Sequence, residues 1–280
     1  MKISDSRNQF FVAAVAFLIA LLAILPGASK THAADAESDS ELAKQTQNPV
    51  ANLISVPFQN NTYFDAGPYH RTANALLIEP VIPFKLDDDW LLITRTIVPL
   101  LYQPRISPSQ GETFGLGDME PQFYLSPAHP GSIIWGFGPE LVLPTATDKT
   151  LGVRRFGGGP AAVALTIQGP VVAGALVNNV WTGYQDGRRI NEMTLNPFFF
   201  YNLRRGWYLC SSPVITADWD SESRNIWTVP VGGGIGRLFK IGGQSINARV
   251  QGLYNVSRPD YAPSWQLQFQ IQFLFPTKKH

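Results

Sequence analysis

The stretch Trp265–Phe275 reads WQLQFQIQFLF. Trp265, Leu267, Phe269, Ile271, Phe273 and Phe275 share one parity, and Gln266, Gln268, Gln270 and Gln272 share the other until Leu274. Successive side chains of a strand point to opposite faces, so one face is apolar and the other is amide. A strand of about eleven residues is long for a soluble sheet and matches a tilted strand crossing a bilayer. An apolar outside with a polar inside is the pattern of a transmembrane β-barrel. An amphipathic strand of a soluble sandwich alternates in the same way, so the rest of the chain has to decide.

The amino-terminal end supports export. Lys2 and Arg7 precede an apolar run over 10–25, closed by Pro26 and Gly27, with an Ala34-Asp35-Ala36 cleavage site behind it. At about sixteen residues the run is short for a spanning helix, and the pattern is that of a cleaved signal peptide over 1–36. No later segment is long and apolar enough for a membrane helix, so any later insertion has to use strands.

Composition agrees. Lys and Arg number 22 against 21 Asp and Glu, so no charge excess draws the chain to nucleic acid. Charged residues make up 15% of the chain, against about 25% in ordinary soluble domains. Cys210 is the single cysteine. It falls in an expected strand and reads as a small packing residue.

The segments 53–64, 72–84, 90–102, 116–125, 132–143, 156–167, 171–181, 192–202, 207–219, 226–239, 245–256 and 264–275 read as strands. Connections alternate in length. Short ones such as 85–89, 168–170, 203–206 and 240–243 carry Gly, Pro or Asp, whereas 103–115, 144–155 and 182–191 are longer. Short turns at one end and long loops at the other are how outer-membrane barrels are built. The expectation is therefore all-β: an antiparallel transmembrane barrel of about twelve strands over 53–276. A leader at 37–52 forms a short helix or plug, and 277–280 is a tail.

The alternation recurs. Ile246, Ala248, Val250, Tyr254 and Val256 oppose Asn247, Arg249, Gln251 and Asn255, and Phe123 and Leu125 oppose Glu120, Gln122 and Tyr124. The second, third and seventh strands alternate less cleanly. Phe84, Trp90, Tyr124, Trp207 and Phe239 gather near short turns, and Tyr102, Trp181, Trp219, Trp227 and Trp265 near long loops, as two interfacial belts require. Pro80, Pro99, Pro121, Pro139, Pro160, Pro197, Pro213 and Pro230 fall inside expected strands. Proline cannot donate to a ladder, so the strands bulge there or some are two shorter strands.

The segments 41–61 (ELAKQTQNPVANLISVPFQNN), 115–127 (GLGDMEPQFYLSP), 143–165 (LPTATDKTLGVRRFGGGPAAVAL) and 227–236 (WTVPVGGGIG) resemble bacterial outer-membrane proteins of the phenol-degradation meta-pathway family, often labelled neuromedin U. The resemblance implies a transporter-like barrel and carries no ligand residues. Many such barrels end on an aromatic residue; here Phe275 is followed by five more residues.

No catalytic constellation is legible. His32, His70, His129 and His280 are scattered, and no HExxH or close His/Cys set occurs. The triplets 157–159 and 232–234 are all glycine and lack the helix and lysine of a phosphate loop. Asp87-Asp88-Asp89 reads as a solvated turn. No enzyme, cofactor or metal site is expected.

The remaining chemistry is the lumen. Parity places Arg95, Asp118, Glu120, Gln122, Glu140, Arg249, Gln251, Gln266, Gln268, Gln270 and Gln272 there. About twelve strands leave a narrow bore, and mixed charge in it argues against strong anion or cation selection and for small polar or amphipathic solutes. The solute expected is small and amphipathic or aromatic. The expected function is an outer-membrane channel or transporter; the alternatives are a structural or surface-interaction barrel and, behind it, an outer-membrane enzyme. Expected partners are outer-membrane lipid, the barrel-assembly machinery and a small-molecule solute.

Overall fold

Gly242 and Gly243 sit at φ +56° and +85° and close a two-residue hairpin between Trp227–Ile241 and Gln244–Ser257. Two consecutive positive φ values match the right-handed twist of the flanking strands, and glycine adopts them without strain. This is one of the short turns on which the wall is built. The computed structural model describes residues 41–107, 110–183 and 189–275. The expected signal peptide over 1–36 and the tail over 277–280 lie outside the described residues.

Fifteen strand segments form one antiparallel sheet. They are β1 (Ile54–Ala66), β2 (Arg71–Ile78), β3 (Val81–Lys85), β4 (Trp90–Gln103), β5 (Thr113–Leu116), β6 (Glu120–Pro127), β7 (Ile134–Val142), β8 (Gly157–Gln168), β9 (Val171–Thr182), β10 (Asn191–Asn202), β11 (Trp207–Ser211), β12 (Ile215–Asp218), β13 (Trp227–Ile241), β14 (Gln244–Ser257) and β15 (Trp265–Phe275). The sheet closes on itself: β15 pairs with β1 from Ile54 opposite Phe275 to Phe64 opposite Trp265. Among the described residues, closure leaves the sheet without a free edge strand. Three pairs, β2 with β3, β5 with β6 and β11 with β12, each form one interrupted stave, so the segments make a closed twelve-strand barrel. Both glycine triplets lie in strands, β8 and β13.

The interruptions explain some of the in-strand prolines. Pro80 occupies the gap between β2 and β3, Pro213 the gap between β11 and β12, and Pro230 a bulge between β13 and β14. Pro139 and Pro160 face one another across β7 and β8, where neither can donate to the ladder. The expected continuous strands at 72–84, 116–125 and 207–219 are thus each two segments. Side chains patch the broken ladder. Gln251 Nε2 donates to Ser212 O at 3.1 Å, and Ser212 N donates to Gln251 Oε1 at 3.2 Å. Thr145 Oγ1 accepts from Met119 N and donates to Gly117 O, both at 2.9 Å, across the β5–β6 gap. Buried backbone groups need such partners when a strand stops.

The outer wall is apolar. Phe58, Phe137, Phe199, Leu209, Ile235 and Trp265 are exposed there. Trp90 meets Trp135 edge-on at 6.0 Å, and Trp219 meets Trp227 at 5.6 Å. Tyr124, expected in an interfacial belt, instead points inward, fully buried, with its hydroxyl donating to Gln122 Oε1 at 3.1 Å. Its place on the Gln122 parity decides its side of the wall.

Candidate functional site

The bore is not polar throughout. At its short-turn end Leu91, Ile93, Tyr124, Ala161, Val163, Leu165, Val172, Leu176, Phe198, Phe200, Tyr208 and Cys210 form a buried apolar cluster. Its residues come from β4, β6, β8, β9, β10 and β11, and β9 is one of the strands whose sequence alternates poorly. Val50 joins this cluster, and Ala43 and Leu53 pack with Leu238 and Leu274. Ala43 lies in a helical turn at 41–46 that precedes Val50 and Leu53. Gln47 and Asn202 exchange two hydrogen bonds, each of 2.9 Å.

Above this floor lies a chamber of about 390 Å³. One part of its wall is amide and guanidinium. Arg249 Nη2 donates to Gln59 Oε1 at 3.1 Å, Gln268 donates to Asn61 Oδ1 at 3.0 Å, and Gln251 donates to Gln268. Another part is apolar, from Leu176, Phe198, Phe200 and Val214. A third carries charge. Arg95 Nη2 meets Glu79 Oε2 at 2.7 Å, and Arg95 Nη1 donates to Gln122 Oε1 at 3.3 Å.

A second cavity, of about 1000 Å³, opens at the long-loop end, lined by residues 149–153 together with Arg189, Asp218 and Asp220. Glu120 and Pro99 line both cavities, so the carboxylate of Glu120 stands where the two meet. The connection between β7 and β8 turns inward here. Asp118 holds it: its Oδ1 accepts from Ala146 N at 3.0 Å and its Oδ2 from Arg154 N at 2.9 Å. Arg189 Nε donates to Asp220 Oδ2 at 2.7 Å and Nη2 to Oδ1, a fork that ties two connections together. The Arg189 hydrogen bond holds the Asp220 carboxyl below the usual carboxylate range.

Among the residues singled out from the sequence, Arg95, Glu120, Gln122, Arg249, Gln268, Gln270 and Gln272 line the inner chamber. Asp118 lines the mouth, with its carboxylate occupied by the backbone it anchors. Glu140 is 1% exposed and sits against the amides of Gln122 and Asn178. Gln251 serves the broken stave, and Gln266 is buried on the same face of β15. Sequence reading missed Glu79, Glu192, Asn178 and Asn196, all of which line the chamber. Glu79 had a signal: a lone acid in the apolar run LLIEPVIPF, where an acid in a membrane-crossing strand has to face inward. The exposed Asp87 accepts backbone bonds from Asp89 and Trp90, as a turn residue does.

No family model matches this chain, and no curated protein matches it. Among solved structures, the COG4313 outer membrane channel from Pseudomonas putida F1 matches with a TM-score of 0.62 at 15% identity, over 81% of this chain and 97% of that one. The fold is that of bacterial outer-membrane barrels. The NanC porin matches with a TM-score of 0.51 at 9% identity, over 80% of this chain and 100% of that one. Outer membrane phospholipase A from Escherichia coli also matches, with a TM-score of 0.40 at 13% identity, over 81% of this chain and 97% of that one. The expectation that the chain is not an enzyme does not stand: a barrel fold does not decide whether a chain is a catalyst, and no enzymatic activity is shown.

Proposed function

We propose that this protein is an outer-membrane channel for small amphipathic or aromatic solutes. The observation that carries the reading is the pair of cavities meeting at Glu120, one open at the long-loop mouth and one enclosed by amide, charged and apolar walls. A chamber of about 390 Å³ is the size of small-molecule sites, at about 300–1000 Å³. Its mixed lining suits a solute with a polar end and a carbon skeleton. The resemblance of 41–61, 115–127, 143–165 and 227–236 to the phenol-degradation family supports an aromatic solute. Passage requires the 41–53 segment to leave the floor.

Planar-bilayer recording tests the proposal. Discrete conductance steps are expected from the purified barrel, and larger or more frequent ones after removal of residues 41–53. The packed floor favours one second reading, a structural or surface-interaction barrel without transport. That reading requires silence from both proteins.

A further inference from the structure

Arg237 is a cation on the outer face of the wall. It lies in β13 opposite Trp207 and Ala248, and Ala248 pairs in turn with the lipid-facing Ile271. Leu238, the next residue, packs inward with Ala43, Leu53 and Leu274, so Arg237 faces outward. Ile235 and Leu209, paired with each other on the same face, are exposed apolar side chains. The Arg237 guanidinium carbon lies 5.1 Å from the centre of the Trp207 ring. Its Nε is buried and has no hydrogen-bond partner. Stacking on the ring stabilises the charge in part, and the orphaned donor remains a cost. A cation on a lipid-facing strand is expensive at the bilayer midplane and tolerated near the interface, where it can reach headgroups.

The turns beside it are basic too. Arg204 and Arg205, both exposed, form the turn that leads into β11. Gly206 packs so closely on β13 that a Cβ there would lie 2.4 Å from the Leu238 carbonyl oxygen, which sets this turn against the strand of Arg237. No Asp or Glu occurs in 193–217, 223–259 or 261–275, so β11, β13, β14 and β15 carry none. Glu41, in the leader, is bonded to Lys44 Nζ at 2.7 Å. At another short turn of the wall, Lys85 is paired with Asp88. One sector of the short-turn rim therefore holds positive charge that no acid among the described residues offsets. We propose that this sector is a docking site for the headgroup of an anionic phospholipid in the leaflet at the short-turn end. The headgroup phosphate accepts from the Arg237 guanidinium, whose planar fork matches phosphate oxygens. Trp207 sits at the depth that indole rings prefer, and an acyl chain lies along Ile235 and Leu209. Arg204 and Arg205 add to the attraction for anionic lipid. A soluble acidic partner fits less well, because Arg237 stands among lipid-facing side chains and not beyond the end of the wall. The site lies outside the bore and does not depend on the channel reading.

Native mass spectrometry tests the site on the full detergent-solubilised barrel, mixed with equal amounts of dioleoylphosphatidylglycerol and dioleoylphosphatidylcholine. Saturable retention of phosphatidylglycerol in preference to phosphatidylcholine is expected. Arg237→Gln is expected to weaken that retention about tenfold, the loss of a hydrogen bond to a charged group. Arg237→Lys keeps the charge without the fork and is expected to fall between the two. The Arg204→Gln, Arg205→Gln double variant is expected to weaken retention by less, and most visibly at low salt. Lys85→Gln removes one positive charge from the same end of the barrel and is expected to change nothing. Heat-modified migration on gels checks that each variant is folded; where Arg237→Gln is not, Arg237→Lys and the two-lipid comparison on the native protein decide. Equal retention of the two lipids overturns the site, as does undiminished phosphatidylglycerol on Arg237→Gln. A loss in Lys85→Gln as large as in Arg237→Gln would make the effect one of overall charge and overturn it too. Displacement of the lipid by excess inorganic phosphate would make this a phosphate-ion position and overturn the assignment to lipid.

Discussion

Gln47 and Asn202, 155 residues apart in sequence, exchange a reciprocal pair of amide hydrogen bonds at the short-turn end of the barrel. The pair fixes the leader against the end of β10, while Val50 sits in the apolar cluster and Leu53 in its neighbour. Each amide bond is worth about 1 kcal/mol net, and burying Val50 or Leu53 contributes about 1.5–3 kcal/mol apiece. The leader is therefore held by a few weak contacts rather than by the ladder. Removal of 41–53 is expected to raise single-channel conductance, and Asn202→Ala to raise the frequency of openings while leaving their size unchanged. If both proteins conduct as the native one does, the leader does not obstruct the path.

The Gln251 side chain replaces a strand where β11 stops. Its amide serves both the N–H and the carbonyl of Ser212, which is buried. Gln251→Ala leaves both without that partner, at a cost of about 1–3 kcal/mol for an unsatisfied buried group. Gln251→Glu retains an acceptor for Ser212 N and loses the donor to Ser212 O, so it is expected to fall between the two. Urea unfolding in detergent micelles, followed by tryptophan emission, ranks the three proteins.

That ranking bears on what was legible in the sequence. The Gln-on-one-parity pattern of β15 and β14 reads directly as a wall with two faces, because alternation is a local property. The interruption of three staves is only hinted at by Pro80 and Pro213, since proline says where a ladder fails and not which side chain repairs it. Gln251 looked like one more lumen amide. Its role depends on Ser212, 39 positions away, and no local pattern links the two. The apolar floor was hidden for the same reason. β8 and β9 are apolar on both parities, which shows that both faces are covered but not that Val50 and its neighbours provide the cover.

The Arg189–Asp220 fork governs how the mouth responds to acid. The Asp220 carboxyl is held below its ordinary value of 3.8, first by the hydrogen bond from Arg189. A lowered value means that the tie is fully present above the ordinary carboxylate range and is lost as pH falls through the lowered one. Both side chains are partly exposed, so salt weakens the tie as well. Open-channel noise is expected to be flat across neutral pH and to rise only in strong acid. Arg189→Ala should show the acid behaviour at neutral pH. Noise that rises between about pH 6 and 8 would assign the response to other groups, since a lowered carboxylate does not titrate there.

Ile271 and Gln270 are adjacent on β15 and face opposite media. Ile271 pairs with Phe58 and Ala248, on the parity whose ends, Trp265 and Phe275, are exposed on the outer wall. Gln270 pairs with Gln59 and Arg249 and lines the inner chamber. Ile271→Arg puts a cation into lipid near the bilayer midplane, at about 2–4 kcal/mol. Gln270→Arg puts one beside Arg249, where it is expected to shift reversal potentials toward anions and to disturb folding less. Stability alone does not separate a lipid-facing residue from one buried in a protein core, because arginine is costly in both. Accessibility does. In a Cys210→Ser background, single cysteines from 265 to 275 carry spin labels in native membranes. Labels at 265, 267, 269, 271, 273 and 275 should be relaxed by oxygen dissolved in the bilayer, and those at 266, 268, 270 and 272 shielded from it. Shielding at 269 and 271 would mean that the apolar parity faces protein, and the outward orientation of this strand would be wrong.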